Sequence, residues 1–540
     1  MEIHVDGVNR TFTQTKILIV VLIPLAMSLM AVSSVNVALP SIESGLGASP
    51  AQLQWVLAGY ALTYGMFLVP FGRLGDIFGR GGFFVGGLAA FSLFSLLCGF
   101  ATTATMLNIF RFIQGISAAI MGPQIVGLIQ QYFQGRERAK AFSTFGLVIA
   151  AAVAVGPPVT GAIIEIFGSE AGWRGSFWIN FPLGVGGVIS ALFWLPFETE
   201  RKAIRNLKAK VKNPVGRIDL DPVGMVLLTL QVVTVMFPFM YHGDNNLVWG
   251  LLGISAVLAV VWFVWERHYE QIGHAPMVTL SLLKIRSFKY ATLTSGIMFL
   301  GITSQYAVIA IFLQSGMGFS PFIAGLIGLP SAGFSALGAW LSGKYNYGRE
   351  LPVMIAALTS AVIGLTTSNF AIYAHAHWGT SVWILAGTLC LTALGMGAFG
   401  AANQSASMHE VPVENGGTAG AFKQTVERVA TAIGTAIVTG VFFAVIGDQT
   451  AATETTWMTA FSWAFFVIVV CVIISLLLAV YALIRIRRQA RTVGAVTSGS
   501  AGSGPATFGP AGSGLATSGP AGSGPATSGP ASSADGADLG

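Results

Sequence analysis

Residues 52–103 read QLQWVLAGYALTYGMFLVPFGRLGDIFGRGGFFVGGLAAFSLFSLLCGFATT. Two apolar runs, about 52–71 and 83–103, flank a charged connection, GRLGDIFGR, at 72–80. A bilayer core about 30 Å thick is crossed by roughly 20 apolar residues in a helix. Each run has that length, so the stretch predicts two membrane-crossing helices joined by a tight turn on one face. The same ruler applied to the whole chain yields fourteen candidate spans. They lie near 17–40, 52–71, 83–103, 105–130, 140–164, 175–197, 222–241, 247–265, 290–315, 321–343, 351–372, 381–404, 417–446 and 457–484.

Composition supports the same solvent. Charged residues are 9% of the 540 and hydrophobic residues 54%, whereas soluble proteins carry about 25% charged residues. So few charges cannot clothe a soluble surface. A soluble enzyme, a disordered scaffold and a disulfide-stapled secreted domain are excluded. Cys98, Cys390 and Cys471 each sit in an apolar run. Their odd number and wide spacing give neither a disulfide framework nor a metal site. The first run follows Arg10 and Lys16 but is too long for a signal peptide and lacks a cleavage site, so a retained anchor is expected.

The formal charge of +6 orients the chain in the membrane and does not imply a nucleic-acid partner. Of the 28 Lys and Arg residues, all but Arg111, Arg174, Lys423 and Arg428 fall on the face that also holds both termini. The positive-inside bias makes that face cytoplasmic. One added or missing helix would invert every later loop and destroy the asymmetry. The weakest loop, 405–416, carries Glu410 and Glu414 and no cation. The expected organisation is a cytoplasmic tail (1–16), a six-helix bundle (17–197), a basic loop (198–221), two inserted helices (222–265), a loop (266–289), a second six-helix bundle (290–484) and a tail (485–540). From about 501 that tail repeats Gly, Ala, Pro, Ser and Thr without the triplet period of collagen. It has little to bury, and a disordered segment is expected.

In the 72–80 connection, Gly72, Gly75 and Gly79 permit a sharp turn and close helix approach. Asp76 can meet a helix N-terminus or an arginine, and Arg73 and Arg80 can reach carboxylates or carbonyls. The set is either an ordinary basic loop or a latch on the cytoplasmic gate. Arg111 lies some 9 Å inside the fourth span at the helical rise. It either snorkels outward or faces the bundle interior, where Gln114 and Gly115 follow it. GPPVTG (156–161) places Pro157 and Pro158 within the fifth span, between Gly156 and Gly161. Two missing donors kink that helix, as a structural bend or as a pivot.

In FKQTVERVATAIG, Lys423 and Glu427 are four residues apart on one helical face, with Arg428 turned away. Glu427 is roughly 15 Å from the cytoplasmic end. Neighbouring cations and burial pull its protonation in opposite directions. It serves either as a proton carrier or as half of a structural ion pair. Asn36, Trp55, Tyr60, Gln114, Trp178, Asn180, Gln305 and Asn403 are candidates for lining a mixed polar and apolar substrate passage. No metal cluster, phosphate loop or nucleophile elbow is present. No cofactor, metal, catalytic residue or enzyme activity is therefore expected.

GRLGDIFGR, RFIQG (111–115) and GPPVTG closely resemble the loop, span-four and antiporter motifs of the major facilitator superfamily. NVALPSI (36–42), QWVLAGYAL (54–62) and WRGSFWINFPLG (173–184) resemble its fourteen-span drug:proton antiporter branch. The resemblance covers about 17–485. It implies an all-α, polytopic fold of 6+2+6 helices, its halves rocking about a midplane site. By resemblance, Arg73, Asp76 and Arg80 latch the cytoplasmic gate, Arg111 couples protonation to movement, and Gly156 and Pro157 seal or pivot the first bundle. The expected activity is export of amphipathic small molecules by proton antiport, with protons, substrate and membrane lipids as partners and a monomer as the simplest working unit. A transporter of this fold without proton coupling, or a membrane sensor, is the alternative. Branch members often carry an aspartate five residues before the position of Asn36; here it is Ala31. Where relatives commonly place arginine or glutamine, this chain has Glu427, which is expected to carry the displaced coupling charge.

Overall fold

A computed structural model describes residues 2–3, 12–197, 220–241, 246–319, 321–447 and 453–500. The basic segment 198–219, Asn245 and the repeat from 501 onward lie outside them. Among the described residues, thirteen stretches are long and apolar enough to cross a bilayer. One of them, Gly135–Trp194, has 60 residues, enough for two crossings at 1.5 Å per residue. The fold is all-α with fourteen crossings, apart from a two-residue antiparallel pairing of β1 (Glu2–Ile3) with β2 (Phe12–Thr13).

The first half comprises α1 (Gln14–Leu46), α2 (Pro50–Phe78), α3 (Arg80–Gly99), α4 (Ala104–Tyr132), α5 (Gly135–Trp178) and α6 (Asn180–Trp194). Local chemistry sets the ends. Ser49 caps α2 in a reciprocal box with Gln52 (3.3 and 3.0 Å), and Thr103 accepts the Met106 amide at the start of α4. Gly79, at φ 116°, is the sole residue between α2 and α3. A side chain is strained in that conformation, so a one-residue turn here depends on glycine. Non-helical Gly168 (φ 80°) divides α5 into a long membrane helix and a short one that leads into α6.

The inserted hairpin is α7 (Pro222–Met240) and α8 (Leu251–Gln271). Helix α8 runs six residues past the expected span end at 265, placing Glu266 in the helix and not in the expected loop 266–289. The second half comprises α9 (Arg286–Ile302), α10 (Ser304–Ile311), α11 (Pro321–Tyr345), α12 (Glu350–Trp378), α13 (Ile384–Ser407), α14 (Gly416–Ile446) and α15 (Glu454–Ser500). Thr303 separates α9 from α10, and a π-turn at Phe312–Gly316 completes that crossing.

One apolar core, around Phe84, Phe91 and Phe142, is centred in the first half and takes in Val411 and Ala421 from the second, while another gathers Phe312, Phe461 and Phe465. Large apolar side chains such as Ile166, Phe193, Val260 and Leu477 point outward, as a lipid-facing surface requires. Small residues bring helices together: a Cβ on Gly397 would lie 1.8 Å from the Ser335 carbonyl of α11. The halves meet where α14 packs on α2 and α4, and where α5 packs on α11 and α13. Helix α7 lies against both α2 and α14. Val232 and Met236 there join Leu62, with Val429 of α14 packed against them, so the hairpin covers that seam.

Candidate functional site

The 72–80 residues form a junction between the two halves. Asp76 is buried. Its Oδ1 accepts Arg80 Nε (2.9 Å), Arg80 Nη2 (2.7 Å) and the Gly417 amide (3.1 Å). Its Oδ2 accepts the Thr418 amide and hydroxyl, both at 2.8 Å. The carboxylate therefore caps the N-terminus of α14, in the opposite half, where the helix dipole favours negative charge. Arg80 also donates to Gly127 O and Gln131 Oε1, each at 3.0 Å, and to the Val413 carbonyl. Gly72 and Gly75 give the close approach: added Cβ atoms would lie 2.8 Å from Ala421 Cβ and 2.1 Å from Gln124 Oε1. Arg73 is buried in the same turn.

The loop without cations explains itself here. Gln130 Nε2 donates to Met408 O (3.0 Å) and Val411 O (2.8 Å), and Arg138 to His409 O (3.4 Å). Carbonyls of 408–414 receive cations and amides from the first half, so positive charge in this loop would repel its partners. Hydrogen bonds joining the two halves gather at this end, and Tyr64–Gln424 adds one midway. The conformation is closed toward the cytoplasm.

Midway, Lys423 is buried on α14 and uses all three ammonium donors. It bonds Glu427 Oε1 at 2.7 Å and Gln404 Oε1 at 2.9 Å. The Asn403 amide, oriented from its neighbours, donates to Ala291 O (2.9 Å) and turns its oxygen to Lys423 Nζ (3.3 Å). Glu427 keeps 15% side-chain exposure, so the pair is less buried at its carboxylate end than at Lys423. The neighbouring Arg428 lies 5.0 Å from the centre of the Tyr64 ring, and the Tyr64 hydroxyl donates to Gln424 Oε1 at 3.1 Å.

Arg111 faces the bundle interior at 1% exposure. Its Nε donates to Val56 O (3.0 Å), its Nη1 to Gln114 Oε1 (2.8 Å), and it covers the Tyr60 ring at 4.4 Å. Tyr60 stacks on Tyr64 with centroids 6.1 Å apart. A ladder of rings thus runs from Arg111 in the first half to Arg428 in the second.

The other sequence candidates scatter. Gly156 packs on α1, where an added Cβ would lie 2.2 Å from Ser33 Oγ, while Gly161 meets nothing within 4 Å. Pro157 and Pro158 are both inside α5. Asn180 donates to Ser95 Oγ within the first bundle (3.2 Å), and Asn36 donates to its own helix. Trp178 packs on Phe100. Trp55 stands at the α7 seam, between Phe112 and Phe237. Gln305 is buried in α10, away from the Lys423 group. Ala31 is buried in the first core. Tyr64, Gln424 and Gln130 escaped the sequence reading as site residues. Tyr64 and Gln424 lie one helical turn from Tyr60 and one residue from Lys423, a spacing that could have found them.

Among families of known proteins, residues 21–435 match the Major Facilitator Superfamily. The probable actinorhodin transporter of Streptomyces coelicolor is 33% identical over 437 residues, covering 79% of this chain and 72% of that one. The tetracenomycin C resistance and export protein of Streptomyces glaucescens is 27% identical over 424 residues, covering 77% and 73%. Among solved structures, the proton:xylose symporter XylE superposes with a TM-score of 0.58 at 15% identity, over 86% of this chain and 94% of that one.

Proposed function

The chain belongs to the major facilitator superfamily, and from that premise we propose that it exports amphipathic small molecules in exchange for protons. It is a multi-pass membrane transporter and not an enzyme. Residues 17–197 and 290–484 act as the two rocking bodies, with 222–265 inserted between them and 1–16, 198–221, 266–289 and 485–540 on the cytoplasmic face. The names of the Streptomyces relatives, a transporter and an export protein, support the direction and the substrate class.

The observation that carries the proton reading is the Lys423–Glu427 pair, held on one side by Gln404 and partly exposed at Glu427. At a 2.7 Å contact the attraction is several kcal/mol even at a protein-like effective dielectric of about 20. Protonation of Glu427 from the outer side cancels it. Lys423 then keeps only Gln404 and Asn403, and α14 is freed to move against α2. Movement of α14 also withdraws the Gly417 and Thr418 amides from Asp76, opening the cytoplasmic gate. Substrate then enters from the cytoplasm as the proton leaves inward. Arg111 and Arg428, joined through Tyr60 and Tyr64, keep positive charge near this path.

One observation favours a transporter without proton coupling: Lys423 is saturated by hydrogen bonds, as in a structural pair, and Ala31 supplies no acid. Ethidium efflux from preloaded, energised cells separates the two. Proton exchange predicts efflux abolished by a protonophore and lowered at least about tenfold, ~1.4 kcal/mol, in Glu427→Gln. Efflux indifferent to both supports the uncoupled reading.

A further inference from the structure

The foot of the inserted hairpin holds two carboxylates the export cycle above does not use. Asp221 stands just before α7, in the only non-glycine positive-φ conformation among the described residues (47°). It is fully buried and satisfied. Its Oδ1 accepts the Gly224 amide (2.9 Å) and Trp265 Nε1 (2.8 Å), and its Oδ2 accepts the Met277 amide (3.1 Å). Three N–H donors thus hold both oxygens of Asp221 in place.

Glu266 follows Trp265 on α8 and is also fully buried. Neither of its oxygens has a hydrogen-bond partner among the described residues. The Val278 amide and the Trp262 indole are donors beside it, yet Trp262 Nε1 is itself buried without an acceptor. The charged groups acting on Glu266 are Asp221 from α7 and Arg73 from α2. Helix α14 contributes the ring of Phe422, stacked on Trp262 at 6.5 Å. Two water-excluded carboxylates thus face one guanidinium. A dry site does not hold the surplus negative charge, and of the two acids Asp221 is held by three donors whereas the donors beside Glu266 complete no hydrogen bond to it.

We propose that Glu266, paired with Asp221, is a second proton-binding site, at the cytoplasmic foot of the hairpin and separate from Lys423–Glu427. With the cytoplasmic gate closed, Glu266 carries one proton. Loss of that proton puts two carboxylates in competition for Arg73 and turns the orphan Trp262 indole toward the new anion. Both changes act on residues touching the gate: Arg73 lies on α2 three residues before Asp76, and Trp262 rests on Phe422, next to Lys423. The hairpin then serves as a proton-responsive strap across the α2–α14 seam.

Infrared spectroscopy of the purified full-length protein in nanodiscs, titrated with alkali in the absence of substrate, reads this site without transport. The result stands or falls independently of proton-coupled export. The carbonyl stretch of a protonated, weakly bonded carboxyl is expected at neutral pH. It disappears in Glu266→Gln and survives in Glu427→Gln. Asp221→Asn removes the adjacent charge and moves the midpoint of the titration down by about one pH unit, which keeps the test open should Glu266→Gln fold poorly. A band unchanged by Glu266→Gln, or a midpoint unmoved or raised by Asp221→Asn, overturns the proposal.

Discussion

Tyr64 donates its hydroxyl to Gln424 Oε1 at 3.1 Å, across the seam between α2 and α14, while its ring carries Arg428 at 5.0 Å. One side chain thereby ties the halves by a hydrogen bond and holds a cation of the opposite half. Tyr64→Phe keeps the ring and loses the bond, about 1 kcal/mol of closed-state stability. The expected result is a several-fold rise in the cytoplasm-open population with Arg428 still in place. Distance measurements between spin labels on the two halves check it. Tyr64→Ala removes both supports and is expected to shift the population further.

The Lys423–Glu427 pair is expected to be strongly non-additive. Removing either charge leaves the other poorly compensated in a largely buried position, at a cost of roughly 3–5 kcal/mol. Removing both, in Lys423→Met with Glu427→Gln, is expected to restore much of the thermal stability while leaving export uncoupled. Melting of the four proteins in detergent, taken as a double-mutant cycle, checks this.

Asp76→Asn halves the acceptor capacity facing Arg80, Gly417 and Thr418. Unpaired buried donors cost about 1–3 kcal/mol, so the cytoplasmic gate is expected to loosen. In a background lacking Cys98, Cys390 and Cys471, a cysteine replacing buried Val411 is then expected to react at least several-fold faster with maleimide from the cytoplasmic side.

Gly75→Ala puts a methyl group 2.1 Å from the Gln124 amide, which is itself fixed by donation to Phe71 O and Ile120 O. Overpacking of this kind costs about 1–3 kcal/mol. Gly161→Ala, with nothing within 4 Å, is expected to be silent. Expression and thermal stability of the two variants give the comparison.

The crossings were legible because lipid imposes one length and one polarity on every span, and because cations crowd one face. The break at Thr303 does not disturb apolarity, so the sequence pattern runs through it, whereas Gly168 falls between the expected spans 140–164 and 175–197. The charged residues of the site were legible for a related reason: Arg111, Lys423 and Glu427 stand out against an apolar background. Their partners were not. Tyr64 and Gln424 resemble many interfacial residues until the halves are docked. Glu266 lies among Arg267, His268 and Glu270, a polar run that reads as the end of a span. Only the approach of Asp221 and the 277–278 segment from other parts of the chain buries it.

In the proposed cycle, protons entering at Glu427 drive export. Proteoliposomes containing a pH-sensitive dye, loaded with ethidium, measure both fluxes in the same sample. The account predicts proton movement opposite to ethidium in the unaltered protein and none in Glu427→Gln. Ethidium export without proton movement, or equal proton movement in both proteins, contradicts it.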